Sequence, residues 1–200
     1  MTRIAGAILL AAALLSPGIS AATEEEKGAV YLMAVLTLPT SVPEVGDGGS
    51  WNTYHPAPGF GLEGSMEWRG EYLGAYVLVG SLAREIEVRT EYWDGPGGRK
   101  SESQLVGYLG AGLNFHLTGS KGADVFLGPL IAGILNVSSY WDERHTDFDY
   151  MIGAQAGFAL RKRPAKWNLS FGLRIVNLPS HTSFARGSAV SILVGISRAR

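Results

Sequence analysis

Cysteine is absent from the 200 residues, which removes disulfide staples, thiolate nucleophiles and zinc-thiolate centres in one step. Charge is scarce. Only 18% of residues are charged, against about 25% in an average chain, so ordinary solvent-facing helices lack the side chains they need. Neither sign dominates: 17 Lys and Arg stand against 18 Asp and Glu, a formal net charge of −1, without the basic surplus of a nucleic-acid binder. Sustained helical periodicity is missing too. Past residue 22 there is no apolar run approaching the ~20 residues of a membrane-spanning helix.

What is there begins with an export signal. Arg3 supplies the charged start, Ile4 to Leu15 an apolar run of 12, and Ser16-Pro17-Gly18 a break. Ser20-Ala21-Ala22 gives the small-x-small pattern of a cleavage site, so residues 1–22 read as a signal peptide, 23–27 as a short tail and 28–200 as one domain.

Within that domain the dominant period is two. Phe60, Leu62, Gly64, Met66 and Trp68 fall on one face, with Gly61, Glu63, Ser65, Glu67 and Arg69 on the other, which is the signature of a strand with one apolar side. The alternation recurs over residues 104–117, 148–158, 167–175 and 189–197, while 28–38, 71–89 and 123–138 are apolar with weaker alternation. Eight strands of about ten residues result, the length of a tilted membrane-crossing strand rather than of a globular one. The connectors alternate between long (39–59, 90–103, 139–147, 178–187) and short (Gly70, 118–122, 161–166), as in transmembrane barrels with short periplasmic turns and longer outer loops. Pro129 lies inside the fifth strand and lacks an amide donor, so a bulge or local distortion is expected there.

The polar faces decide which way the strands point. They carry Gly, Ser, Asn, Gln, Tyr and His rather than the Lys and Glu of a soluble exterior, and small uncharged residues suit the interior of an eight-stranded barrel. Lipid then faces the apolar side, and closure follows because backbone groups in hydrocarbon must all be bonded. Phe60, Trp68, Tyr72, Phe148, Tyr150 and Trp167 sit near strand ends, where interfacial girdles belong.

Gly107-Tyr108-Leu109-Gly110-Ala111-Gly112-Leu113-Asn114-Phe115 resembles the glycine-studded strands of small Gram-negative outer-membrane barrels, broadly the outer membrane protein W-like families. Its Gly110-Ala111-Gly112 stretch lies within a strand and opens no helix, so it is not a phosphate loop. The ending Gly195-Ile196-Ser197-Arg198-Ala199-Arg200 is similar to the terminal strand read by the barrel assembly machinery, with Arg200 where an aromatic is usual. The resemblance implies a closed, all-β, eight-stranded up-and-down barrel in the outer membrane, in contact with lipid and lipopolysaccharide. Its expected role is structural, or the passage or binding of small, hydrophobic molecules, without cofactor.

Charges inside such a barrel need partners. Glu63, Glu67, Arg69, Gln155 and Arg174 therefore form the candidate lumen network, with Glu67 paired to Arg174 and Gln155 beside them. Two other groupings carry alternative chemistry. His181 and Ser183 before the last strand are similar to the base and nucleophile of outer-membrane lipid A 3-O-deacylases, with Glu143 or Asp149 as orienting carboxylate. Asp142, His145 and Asp147 in the third outer loop offer oxygen and imidazole ligands for a divalent cation. A third class, a soluble periplasmic lipocalin-like barrel that binds ligand, needs the opposite orientation of the apolar face.

Overall fold

The computed structural model describes residues 27–39, 44–47, 50–70, 72–92, 95–118, 122–140, 143–161, 167–178 and 187–199. The expected signal peptide, the tail up to residue 26 and Arg200 lie outside the described residues.

Alternation over strand-length segments rich in Val, Ile, Leu, Tyr and Phe leaves one backbone solution, pairing with a neighbour on each side. The described residues form ten strands: β1 (Lys27–Pro39), β2 (Glu44–Asp47), β3 (Ser50–Pro56), β4 (Gly59–Arg69), β5 (Leu73–Tyr92), β6 (Gly95–His116), β7 (Gly122–Tyr140), β8 (Glu143–Arg161), β9 (Trp167–Leu178) and β10 (Gly187–Ala199). Eight of them, β1 and β4 to β10, close into an antiparallel ring, sealed where β10 returns to β1 from Ala29↔Ala199 to Pro39↔Ala189.

The eight expected strands are all present, but the expected outer loops are not all loops. Residues 90–103 continue β5 and β6 as a hairpin paired up to Tyr92↔Gly95. Residues 139–147 largely extend β7 and β8, paired up to Tyr140↔Glu143. The 39–59 connector holds β2 and β3. Residues 95–103 and 143–147 are largely polar on both faces, so these extensions lack the alternation that marks the rest, and β3 turns only Tyr54 inward, onto Ile86 and Val88.

β3 and β4 share one edge of β5. β4 covers Gly74 to Ala83, then β3 takes over from Ile86 to Tyr92, with the register slipping by one residue across Ala57-Pro58. Ala57 N–H still donates to Glu85 O at 2.8 Å, which holds the join closed.

At Pro129 the expectation needs refinement. The ladder between β6 and β7 skips Gly128 and Pro129, running from Gly112↔Leu130 to Phe115↔Leu127 without any change of register. The missing amide therefore interrupts pairing on one side and does not create a bulge.

The faces fall as the alternation implies. Phe60 (67% exposed), Leu62, Leu109, Ile131, Phe148 (81%) and Trp167 point outward, whereas Glu63, Glu67, Arg69, Asn114, His116 and Arg174 are buried. A soluble lipocalin-like barrel would reverse this, and the structure rules that orientation out. Inside, large rings are accommodated by glycines directly opposite on the next strand: Tyr108 over Gly80, Tyr76 over Gly112 and Phe126 over Gly157. A Cβ at any of the three would collide with the ring it faces.

Candidate functional site: a polar plug inside the barrel

Strands β1, β4 and β6 to β9 contribute to one hydrogen-bonded network in the lumen. Near the periplasmic end, the Arg69 guanidinium donates Nη1 to Asp124 Oδ2 at 2.8 Å. The other Asp124 oxygen meets His116 Nδ1 at 3.0 Å, and His116 Nε2 meets Glu67 Oε1 at 2.8 Å. Both imidazole nitrogens thus face carboxylates. Both contacts are hydrogen bonds when the ring carries two N–H groups; the set Arg69, Asp124, His116 and Glu67 is then electrically neutral.

Glu67 is held from two further sides, accepting from Tyr31 OH at 2.9 Å and Asn114 Nδ2 at 3.0 Å. Asn114 Oδ1 accepts from Gln155 Nε2 at 3.1 Å, and Gln155 Oε1 accepts from Arg174 Nη2 at 3.1 Å. Arg174 then grips Glu63 with both terminal nitrogens, at 2.6 and 2.8 Å. Tyr108 OH donates to the same carboxylate at 3.0 Å. Forked Arg-carboxylate pairing is the strong, geometrically specific form of ion pair.

All five residues singled out from sequence are therefore brought into one network, but with different partners. The expected Glu67–Arg174 pair is not formed. Arg174 sits on β9 directly across from Gln155 on β8 and reaches Glu63, while Glu67, four residues along β4, lies at the level of His116. A step of four residues along a strand is about 13 Å, so the two glutamates serve different levels of the barrel.

Tyr31, Tyr108, Asn114, His116 and Asp124 complete the network. Tyr108, Asn114 and His116 share the polar face already visible in the alternation of residues 104–117. Asp124 lies in phase with Phe126, Leu130, Ala132 and Ile134, all buried. A run whose inward positions are mostly apolar conceals its one inward acid.

A ring of eight strands, an apolar exterior and an interior crossed by a polar network are now established together. The fold is that of the small Gram-negative outer-membrane barrels. Neisserial surface protein A matches with a TM-score of 0.58 at 12% identity, over 88% of this chain and 97% of that one. The outer membrane protein OprG from Pseudomonas aeruginosa matches at 0.56 and 10% identity, over 88% and 96%. Ail, the attachment invasion locus protein of Yersinia pestis, in a complex with the heparin analogue sucrose octasulfate, matches at 0.51 and 12% identity, over 88% and 99%. These likenesses concern the fold. No protein-family model matches the sequence, and no curated protein matches it either.

The remaining sequence candidates fall mostly outside the described residues. His181, Ser183 and Asp142 fall outside the described residues, as do the side chains of Glu143 and His145. Asp147 pairs in register with Asn136, and Asp149 accepts from the Tyr150 amide at 2.7 Å. Among the described residues, no three His, Asp or Glu side chains are grouped to hold a metal.

Proposed function

We propose that this chain is a sealed outer-membrane barrel with a structural role. It embeds in lipid and lipopolysaccharide, supports a raised collar of paired strands on the outer side, and passes no stream of ions or solutes through its lumen. One observation carries the reading: the network from Arg69 to Tyr108 crosses the lumen side chain to side chain. Opening it would strand buried charges, at a cost of roughly 3–5 kcal/mol for each broken pair. An eight-stranded interior is also just wide enough for side chains to fill. Insertion by the barrel assembly machinery, with β10 as the strand recognised, belongs to the same reading.

Planar lipid bilayers test it directly. Wild-type protein gives no steady conductance steps, whereas alanine at Glu63 and Arg174 together with Glu67 and Asp124, which removes both tiers of the plug, gives measurable ones. Stable porin-like conductance from the wild type would overturn the proposal.

A further inference from the structure

Above the Arg174–Glu63 pair the lumen changes character. A cavity of about 600 Å³, counted out to its mouth, opens between β1, β5 to β10. Its wall is largely hydrocarbon, from Val35, Leu82, Val106, Ile134, Met151 and Val176. Two guanidinium groups line it, Arg174 and Arg84. They are not equivalent.

The charge of Arg174 is answered by Glu63. Arg84 Nε donates to Gln104 Oε1, a neutral acceptor, and among the described residues no carboxylate pairs with Arg84. Lys100 and Glu102, further out on β6, have interactions of their own. Polar atoms without partners gather at the same place: Asn136 Oδ1 and Arg174 Nε on cavity-lining residues, and Gln104 Nε2 on the side chain that holds Arg84. These three side chains are only 2–3% exposed. Buried polar atoms are normally satisfied, and a cation walled by hydrocarbon calls for a counter-charge. Two orphaned donors, Gln104 Nε2 and Arg174 Nε, an unanswered cation and an apolar wall describe a site for something that supplies a single negative charge and a hydrocarbon body.

We infer that this outer cavity binds a single-chain amphiphile with a carboxylate head, its head on Arg84 beside the Gln104 amide and its tail along Leu82, Val106, Ile134 and Val176. A carboxylate matches the one unanswered charge and presents two acceptor oxygens to the guanidinium fork. A phosphate dianion would leave a surplus charge against hydrocarbon. The plug closes the cavity below, so the bound molecule leaves by the mouth it entered. The inference does not depend on the barrel being sealed, because binding and conductance are read separately.

The test is calorimetry on protein in phosphatidylcholine nanodiscs, with empty nanodiscs subtracted and with octanoate, octanol and octyl phosphate as probes. Wild-type protein binds octanoate in a saturable one-to-one manner and more tightly than octanol or octyl phosphate. Arg84→Leu weakens octanoate by about tenfold or more and leaves octanol unchanged or tighter. Ala189→Trp, which fills the cavity from β10, abolishes both. Barrel formation by each variant is checked first by its heat-dependent gel migration, and the ranking of the three probes on wild-type protein needs no variant at all. No saturable octanoate binding above empty nanodiscs, an equal or better affinity for octanol or octyl phosphate, or an Arg84→Leu protein that binds octanoate as the wild type does would each overturn the inference.

Discussion

The two halves of the lumen are built by the same strands, with the same alternation, and reach opposite outcomes. In the periplasmic half, Arg69, His116, Asp124 and Glu67 interlock with each charge answered, and the space left beside Tyr76 and Phe126 is a smaller cavity of about 440 Å³. In the outer half, Arg84 faces a neutral glutamine and the residues around it leave a cavity. The pleat decides which residues face inward. Whether they make a plug or a pocket depends on whether their charges and volumes are matched across the ring.

The comparison breaks most sharply at Asp124, which is fully buried and holds both Arg69 and His116. Asp124→Leu leaves Arg69 uncompensated and His116 with one carboxylate, so a loss of roughly 3–5 kcal/mol is expected, read as an earlier unfolding midpoint in urea. Adding Arg69→Met to Asp124→Leu recovers part of the loss, because the stranded cation goes with its partner. A midpoint unchanged by Asp124→Leu alone means that packing, not charge matching, holds the lower half.

Volume matching gives the next largest effect. A Cβ at Gly157 would enter the Phe126 ring, so Gly157→Ala forces that ring to move and costs about 1–3 kcal/mol. Thermal unfolding followed by gel migration reads the change. Phe126→Leu in the same chain makes room and returns most of the stability; additive losses in the double variant would show that the ring and the glycine do not share one space.

The fold was legible because lipid outside and a narrow lumen inside force opposite chemistry onto alternate residues. The site was legible where that contrast is strong: Glu63, Glu67 and Arg69 stand out against Phe60, Leu62 and Trp68 on β4. Partner choice was not, since it depends on how far each strand is shifted against its neighbours. Arg174 reaches Glu63 rather than Glu67 because β9 and β4 are staggered through the whole ring, a sum of registers that no local pattern encodes. The collar was missed for a different reason. Outside the membrane, backbone pairing continues without an apolar face to reveal it, as in Gly95 to Glu102 of β6.

In the outer half the expected sign reverses. Arg84 has no opposite charge to lose, so Arg84→Leu without ligand leaves stability unchanged or raises it by up to about 1 kcal/mol, the lost bond to Gln104 being offset by an apolar side chain in an apolar wall. Urea midpoints of Arg84→Leu and Asp124→Leu measured side by side place the two halves on one scale. A loss at Arg84 as large as that at Asp124 would erase the distinction between pocket and plug.

The smallest effect belongs to the collar, where charge pairs meet water. Arg89 Nε donates to Glu87 Oε1 at 2.8 Å, with both side chains partly exposed, and the neighbouring guanidinium holds the Glu87 carboxyl below its ordinary range. A carboxylate whose folded value is depressed adds stability above its unfolded value, and that contribution disappears as pH falls through the folded one. Arg89→Ala therefore moves the Glu87 titration, followed by NMR, back up toward the ordinary carboxylate range. Any difference in stability from the wild type is small at neutral pH, shrinks with added salt and vanishes in acid. A salt-insensitive difference that persists in acid would mean that the collar is held by the same buried charge matching as the plug.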